Sequence, residues 1–258
     1  MINPIEVIPI CALKDNYIWM LKDKNSNNAW IVDPGDSRPV INALKTNNIC
    51  LKGILITHHH YDHTDGLKDL NKLIPNLKIY GSDKSEVPEI NCKLKDNDEF
   101  TIFDIKFKAI AVPGHTLDHT AFHGNNCLFS GDTLFSFGCG RIFEGTPEQM
   151  LNSLNKLKAL PDDTKLYCGH EYTLNNLKFT KLVDPDNNEL TSKIEFAENQ
   201  AMVNEPTLPS LLADEKKLNP FLRCEENAIK SSVEKYANIT LNNEVEVFTK
   251  LRDWKNCF

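Results

Sequence analysis

Residues 55–66 read LITHHHYDHTDG, and four of the eight histidines of this 258-residue chain fall within six positions of that segment. Along an extended backbone, residues i and i+2 point the same way. His58 and His60 therefore converge on one point, while His59 faces away; His59 and Tyr61 read as spacers. The chain must then turn into a following helix, which puts Asp62 and His63 at the turn, facing a second point beside the first. Neutral imidazole and carboxylate are the ligands that zinc, iron and manganese take at hydrolytic centres. A solvated polar loop has no reason to concentrate histidine in this way. An appended tag would lie at a terminus and lack the interposed Asp.

Four groups rarely complete a two-metal site, and three later segments offer more. VPGHTLDHT carries His115, LFSGDTLF carries Asp132 and LYCGHEY carries His170. Each is an apolar strand, then a small residue, then a metal-type side chain. Any one alone would be an ordinary turn; together with the histidine-rich segment they are a ligand set. His119 reads as either an orienting neighbour of the ligands or a structural histidine, and His123 as a strand or surface residue.

The elements that must position these groups alternate between strand and helix. Tyr17–Leu21 and Ala29–Val32 flank the polar KDKNSNN turn as a hairpin, and VDPGD stops the second strand. Arg38–Thr46 is a helix candidate, and Gly53–Ile56 is a continuous apolar run of the kind covered on both faces. Leu67, Leu70, Leu73 and Ile74 have helical spacing; Leu77–Tyr80, Phe100–Phe103 and Ile105–Val112 are strand-like. HGNN turns between Thr120–Phe122 and Cys127–Ser130. Thr146-Pro147-Glu148-Gln149 is a helix start with a capping box, and Leu166–Cys168 is the last good strand. Beyond about residue 171 the pattern becomes helical, through Leu174, Leu177 and Leu182, then Leu190, Ile194 and Ala197, a Pro-rich NEPTLPS joint and a charged, aromatic end. The expected organisation is an α/β catalytic domain over 1–171 and a smaller helical domain over 172–258.

Composition narrows the classes. A net charge of −7 argues against a nucleic-acid backbone as partner, because neutralising phosphates takes clustered Lys and Arg. No run approaches the length of a membrane span, and MINPIEVIPICALKDNY has no basic stretch ahead of an apolar core. The eight cysteines are scattered without a CxxC pair, so the expectation is a cytoplasmic protein with reduced thiols; no long apolar face is left over, which points to a monomer.

Thr57-His58-His59-His60-Tyr61-Asp62-His63 is similar to the THxHxDH signature of the metallo-β-lactamase superfamily, and His115, Asp132 and His170 follow in that superfamily's order. The resemblance implies an αββα sandwich with a binuclear site. It places His58, His60 and His115 on one metal, and Asp62, His63 and His170 on the other, with Asp132 bridging. Two divalent ions are implied, zinc first, with iron or manganese as the other choices. GCGRIFEGTPEQM, YCGHEYTLNNLKF, LNPFLR and the terminal RDWKNCF resemble the glyoxalase II (hydroxyacylglutathione hydrolase) family almost end to end. That likeness implies a thioester substrate, S-D-lactoylglutathione, attacked by a water activated between the metals, with Asp62 and Asp132 serving the chemistry. It lines a glutathione pocket with Arg141, Phe143, Tyr172, Arg252 and Lys255. Glutathione carries two carboxylates, which suits an Arg/Lys clamp. Phe143 stands where some relatives carry Tyr, so that hydroxyl is lost and the pocket wall is kept. The competing readings are a glutathione persulfide dioxygenase, a lactonase, a β-lactamase, a nuclease and a non-catalytic metal-binding module.

Overall fold

A computed structural model describes residues 4–258. The chain opens with β1 (Ile5–Ala12), β2 (Asn16–Asp23) and β3 (Asn28–Val32), paired antiparallel in sequence. Along β2 the side chains alternate between two buried faces: Tyr17, Trp19 and Leu21 pack on one side, Ile18 and Met20 on the other. Strand β1 lies outside the hairpin read from the sequence. It carries Pro9, which an edge strand tolerates, and β1 is an edge of its sheet.

Helix α1 (Ser37–Thr46) starts at the N-cap Asp36, whose carboxylate accepts from the Arg38 amide. It crosses to β4 (Cys50–Leu55), parallel to β3. The short α2 (Tyr61–Thr64) and α3 (Leu67–Leu73) lead to β5 (Lys78–Ser82) and β6 (Cys92–Leu94), completing a six-stranded sheet ordered β1 to β6.

The second sheet begins with β7 (Glu99–Ile102), β8 (Ile105–Ala111), β9 (Thr120–Gly124) and β10 (Cys127–Gly131), all antiparallel. A two-stranded hairpin, β11 (Leu134–Phe135) and β12 (Gly138–Cys139), leads into α4 (Pro147–Lys158). The capping box read from the sequence is formed: Thr146 Oγ1 accepts from the Gln149 amide and Gln149 Oε1 from the Thr146 amide. Strand β13 (Lys165–Cys168) then runs parallel to β10.

Helices α5 (Thr173–Val183) and α6 (Glu189–Val203) follow. Against the expectation that β13 ends the sheets, β14 (Ser210–Leu211) adds antiparallel to it. The chain finishes with α7 (Leu212–Leu218), a 3₁₀ turn at Pro220–Leu222, α8 (Asn227–Ala237) and α9 (Glu244–Cys257). Leu182 is half-exposed rather than part of the core, because the buried face of α5 runs through Leu177, Phe179, Thr180 and Val183.

Three apolar layers result. Trp19, Trp30, Leu55, Phe107, Phe122 and Phe129 fill the space between the sheets. Ile18, Ile31, Ile54 and Ile79 meet Val40, Leu44 and Leu70 of the helices on the first sheet. Val112, Ala121 and Leu128 meet Leu154, Phe221, Val233 and Phe248 on the second. The architecture is an αββα sandwich, with the C-terminal helices continuing its second helical layer. Among the described residues no helix is long and apolar enough to cross a membrane.

Candidate metal centre and substrate cleft

Five of the seven predicted ligands stand where a strand runs out, and Asp62 and His63 lie on α2. His58 and His60 follow β4, His115 follows β8, Asp132 follows β10 and His170 follows β13. Strand ends of both sheets therefore deliver to one point between the layers. The three nitrogens His58 Nε2, His60 Nδ1 and His115 Nε2 draw together: His60 Nδ1 is 3.1 Å from His58 Nε2 and 3.0 Å from His115 Nε2. Ligands about 2.0–2.1 Å from a tetrahedral ion lie roughly 3.3 Å apart. Asp62, His63 and His170 form a second group within 4.8 Å of one another. Asp132 faces both: Oδ1 is 3.5 Å from His63 Nε2, and Oδ2 is 3.5 Å from His115 Nε2 and 3.2 Å from His170 Nε2.

The donor set fits a pair of cations. His63 Nε2 and Asp132 Oδ1 are buried without a hydrogen-bond partner among the described residues, which costs free energy unless something else is bound there. Gly169 leaves the necessary room, since a Cβ there would collide with Asp132 Oδ1 and His63 Cε1. The cluster is a divalent-metal-binding arrangement.

An outer ring fixes the imidazole orientations. Thr57 Oγ1 donates to Asp33 Oδ2 (2.7 Å), so His58 Nδ1 donates to Thr57 Oγ1 (3.0 Å) and its Nε2 lone pair faces the centre. His63 Nδ1 is 3.1 Å from Asp33 Oδ2, His115 Nδ1 is 2.8 Å from the Arg141 carbonyl, and His170 Nδ1 is 2.9 Å from Asp15 Oδ1. Each partner accepts that proton and leaves Nε2 toward the site. Asn16 Nδ2 donates to Asp62 Oδ2 (2.9 Å). Asp33 also lies close to His58 and His63 as a third conceivable cation group, but its oxygens are already taken by Thr57 and His63.

Burial holds the imidazoles of His58, His60 and His115 below the usual histidine range, so they are neutral ligands. Burial also pushes His170 down, but Asp132, Asp62 and Asp15 override it and lift it to about 11. Against its burial, the surrounding imidazoles hold the Asp132 carboxyl far below the carboxylate range. The second group is therefore rich in negative charge, and a cation satisfies it.

His119 stacks on His58, with ring centroids 4.6 Å apart, and its Nε2 accepts from the Asp132 amide (3.0 Å). Burial and His115 depress it to about 3, which keeps it a neutral acceptor. It orients the site. His59 is more than the spacer expected from the sequence: its nitrogens lie 2.9 Å from Asp118 and 3.2 Å from Glu144, tying three loops together. Tyr61 is exposed and lines the cleft. His123 sits half-buried in β9.

Sequence reading passed over Asp33, Asp15, Asn16, Thr57 and Asp118. Asp33 had a usable signal: it ends a strand before Pro34-Gly35, much as Asp132 ends one after Gly131.

A cleft of about 590 Å³ runs from the centre to the C-terminal helix. It gathers all five residues expected at a substrate pocket. Phe143 lies edge-on to His60 and His115, and Tyr172 stacks on His170 at 4.8 Å. Arg252 and Lys255, one turn apart on α9, line the far end. Arg252 is only 5% exposed, where a solvated terminus would leave it free. Its Nη1 donates to the Cys139 carbonyl (2.7 Å), its guanidinium covers the Phe221 ring, and its Nε has no partner among the described residues. Lys255 Nζ donates to the Asn175 carbonyl (3.2 Å) and lies over Phe179 and Phe258. Arg141 is exposed on the cleft wall.

Comparison with known proteins matches this geometry. The metallo-beta-lactamase superfamily model matches residues 15–90 and 93–170, and the hydroxyacylglutathione hydrolase C-terminus model matches 171–258. The hydroxyacylglutathione hydrolase of Aeromonas salmonicida is 46% identical over 253 residues, covering 98% of this chain and 99% of that protein. That of Alkalilimnicola ehrlichii is 47% identical, covering 97% and 98%. Among solved structures, ETHE1 from Myxococcus xanthus shares the fold, with a TM-score of 0.65 at 21% identity and 98% coverage of both chains. Fold, centre and both halves of the sequence agree, and the chain belongs to the hydroxyacylglutathione hydrolase family of metal-dependent hydrolases.

Proposed function

We propose that this enzyme hydrolyses S-D-lactoylglutathione and related S-2-hydroxyacylglutathiones to the hydroxy acid and glutathione. The observation that carries the reading is one cleft with a His/Asp cluster at one end and, at the other, a buried guanidinium that meets no carboxylate among the described residues. A glutathione thioester has the matching layout, with a scissile carbonyl at the sulfur and carboxylates at the ends of the peptide. In this reading His58, His60 and His115 hold one ion, Asp62, His63 and His170 the second, and Asp132 is shared; zinc suits the donors best. Ions held there would polarise a carbonyl oxygen and acidify water to a pKa of roughly 7.

The protein's own groups do the rest. Arg252 and Lys255 grip a substrate carboxylate, the former through a planar fork. Phe143 and Tyr172 wall the cleft near the reacting carbonyl, and the hydroxyl lost at Phe143 sacrifices one hydrogen bond without opening the wall. Asp62, partly open to the cleft and held by Asn16, orients the attacking water, whose proton leaves to solvent. The leaving thiolate needs no strong acid. The chain divides near residue 171 into a hydrolytic part and a substrate-holding part, and a monomer suffices, because one chain supplies every residue of the cleft. The eight cysteines, all unpaired, suit a reducing compartment and support a cytoplasmic setting for the reaction.

The test is loss of the thioester absorbance of S-D-lactoylglutathione with metal-replete enzyme beside a chelated control, with bound metal measured in both. Rapid, chelator-sensitive hydrolysis is expected. No hydrolysis by protein that retains its metal would overturn the assignment.

A further inference from the structure

The β11–β12 hairpin stands between Asp132 and Arg141, and its turn is held almost wholly by the C-terminal helices. Phe137 occupies the second turn position at φ 55°, a conformation usually left to Gly or Asn, so it persists only if its surroundings enforce it. Glu215 on α7 is fully buried, and its carboxylate takes four donors. Oε1 accepts from Ser136 Oγ (3.0 Å) and Ser210 Oγ (2.7 Å); Oε2 accepts from the Phe137 amide (2.7 Å) and Asn219 Nδ2 (3.1 Å). Asn219 Nδ2 also reaches the carbonyls of Phe135 and Gly138, Asn176 Nδ2 that of Ser136, and Thr180 Oγ1 that of Phe137.

The hairpin touches both ends of the cleft. Phe135 lies edge-on to His170 and Tyr172, and the Cys139 carbonyl receives Arg252. We infer that Glu215 is a positioning residue for this reaction: it sets the hairpin, and through it the placement of Arg252 and Phe135. The inference rests on the glutathione-thioester reading only in its kinetic arm.

Burial lifts the Glu215 carboxyl to about 7 against its four donors. Either protonation state holds the clamp, because Ser136 and Ser210 are hydroxyls that can turn and accept. Glu215→Gln should therefore preserve it, with Nε2 facing the two hydroxyls and Oε1 facing Phe137 and Asn219.

The experiment compares Glu215→Ala and Glu215→Gln holoenzymes by steady-state kinetics on S-D-lactoylglutathione, by melting and by hydrogen exchange at the Phe137 amide. Glu215→Ala should raise KM about tenfold, with a smaller change in kcat, and lower Phe137 protection by about tenfold or more. Glu215→Gln should restore both. Asp184→Ala is the control. It strips a buried partner from Arg223 in the same helical region and should lower Tm with KM unchanged.

An unchanged KM in Glu215→Ala, or a Gln variant that recovers Tm but not KM, overturns the inference. If Glu215→Ala does not fold, Ser136→Ala and Ser210→Ala decide. Both remove a bond to Oε1, but only the first frees the hairpin and should raise KM, by roughly threefold; equal KM values overturn the inference. Wild-type enzyme that fails to turn over the thioester would refute the substrate alone, and Phe137 exchange would then judge the clamp.

Discussion

Replacing Arg252 by Ala separates anchoring from chemistry. In the free enzyme the change removes a buried hydrogen bond to the Cys139 carbonyl and a cation–π contact at 5.2 Å. These are worth about 1 kcal/mol and about 0.5–2 kcal/mol respectively. For a chain of this size each kcal/mol shifts Tm by about 2–4 °C, so a fall of roughly 3–12 °C is expected. Toward substrate, the variant loses one charge-assisted pairing with a carboxylate, worth about 1.5–3 kcal/mol. At about 1.4 kcal/mol per tenfold, KM should rise roughly 10- to 150-fold. The lost interaction is the same in ground and transition states, so kcat should stay within about threefold. Steady-state thioester hydrolysis measures both constants, with metal content checked in parallel. Arg252→Lys keeps the charge without the fork and should fall between wild type and Ala. A collapse of kcat at constant KM, or loss of metal, would refute the assignment of Arg252 as a remote anchor.

Asp132→Ala should cost bound metal and nearly all turnover; elemental analysis beside the rate assay decides, and full activity with intact metal sinks its shared role. Asp33→Asn exchanges an acceptor of the His63 Nδ1 proton for an amide that can present a donor there, and should weaken metal affinity about 10- to 100-fold in chelator competition; unchanged affinity contradicts the outer-ring argument. Lys255 is depressed to about 8, by burial and then by Arg252. Its charge is present below that pH and is lost as pH rises through it, so KM should climb above about pH 8; Lys255→Arg should flatten the rise, and an identical profile in that variant rules out Lys255 as the titrating anchor. Thr146→Ala breaks the capping box of α4 and should cost about 1 kcal/mol, or about 2–4 °C in Tm, with kinetics untouched; altered KM would mean that the helix start reaches the cleft.

The sandwich, and the residues that the fold gathers into one His/Asp cluster, were legible because they depend on local pattern. Apolar runs that end in Gly-His or Gly-Asp mark strand termini, and the i, i+2 rule pairs His58 with His60. Strand β1 was not legible, because Pro9 speaks against a strand until the edge position is known. Strand β14 is two residues long and is defined only by its partner, Lys165–Leu166. The outer ring escaped for a related reason. Asp33 and Asp15 are 30 and 155 positions from the histidines they hold, and nothing local in either segment announces the contact. His59 was read as a spacer because its direction was inferred correctly but the loops behind it were not visible. Glu215 lies among ordinary helix charges in LADEKKL, and only the assembled fold reveals that it alone of the charged residues in that run is buried, among donors.

Strand β14 has a consequence for solubility. It caps the free rim of β13, where Leu166, Tyr167 and Cys168 are all buried. A chain cut after residue 171 would retain every proposed metal ligand but expose an uncovered, apolar rim of unpaired amides and carbonyls. Such rims recruit further strands, so copies of the shortened chain would add to one another and precipitate. The C-terminal segment thus covers a sheet edge that the preceding chain leaves open, whatever else it does.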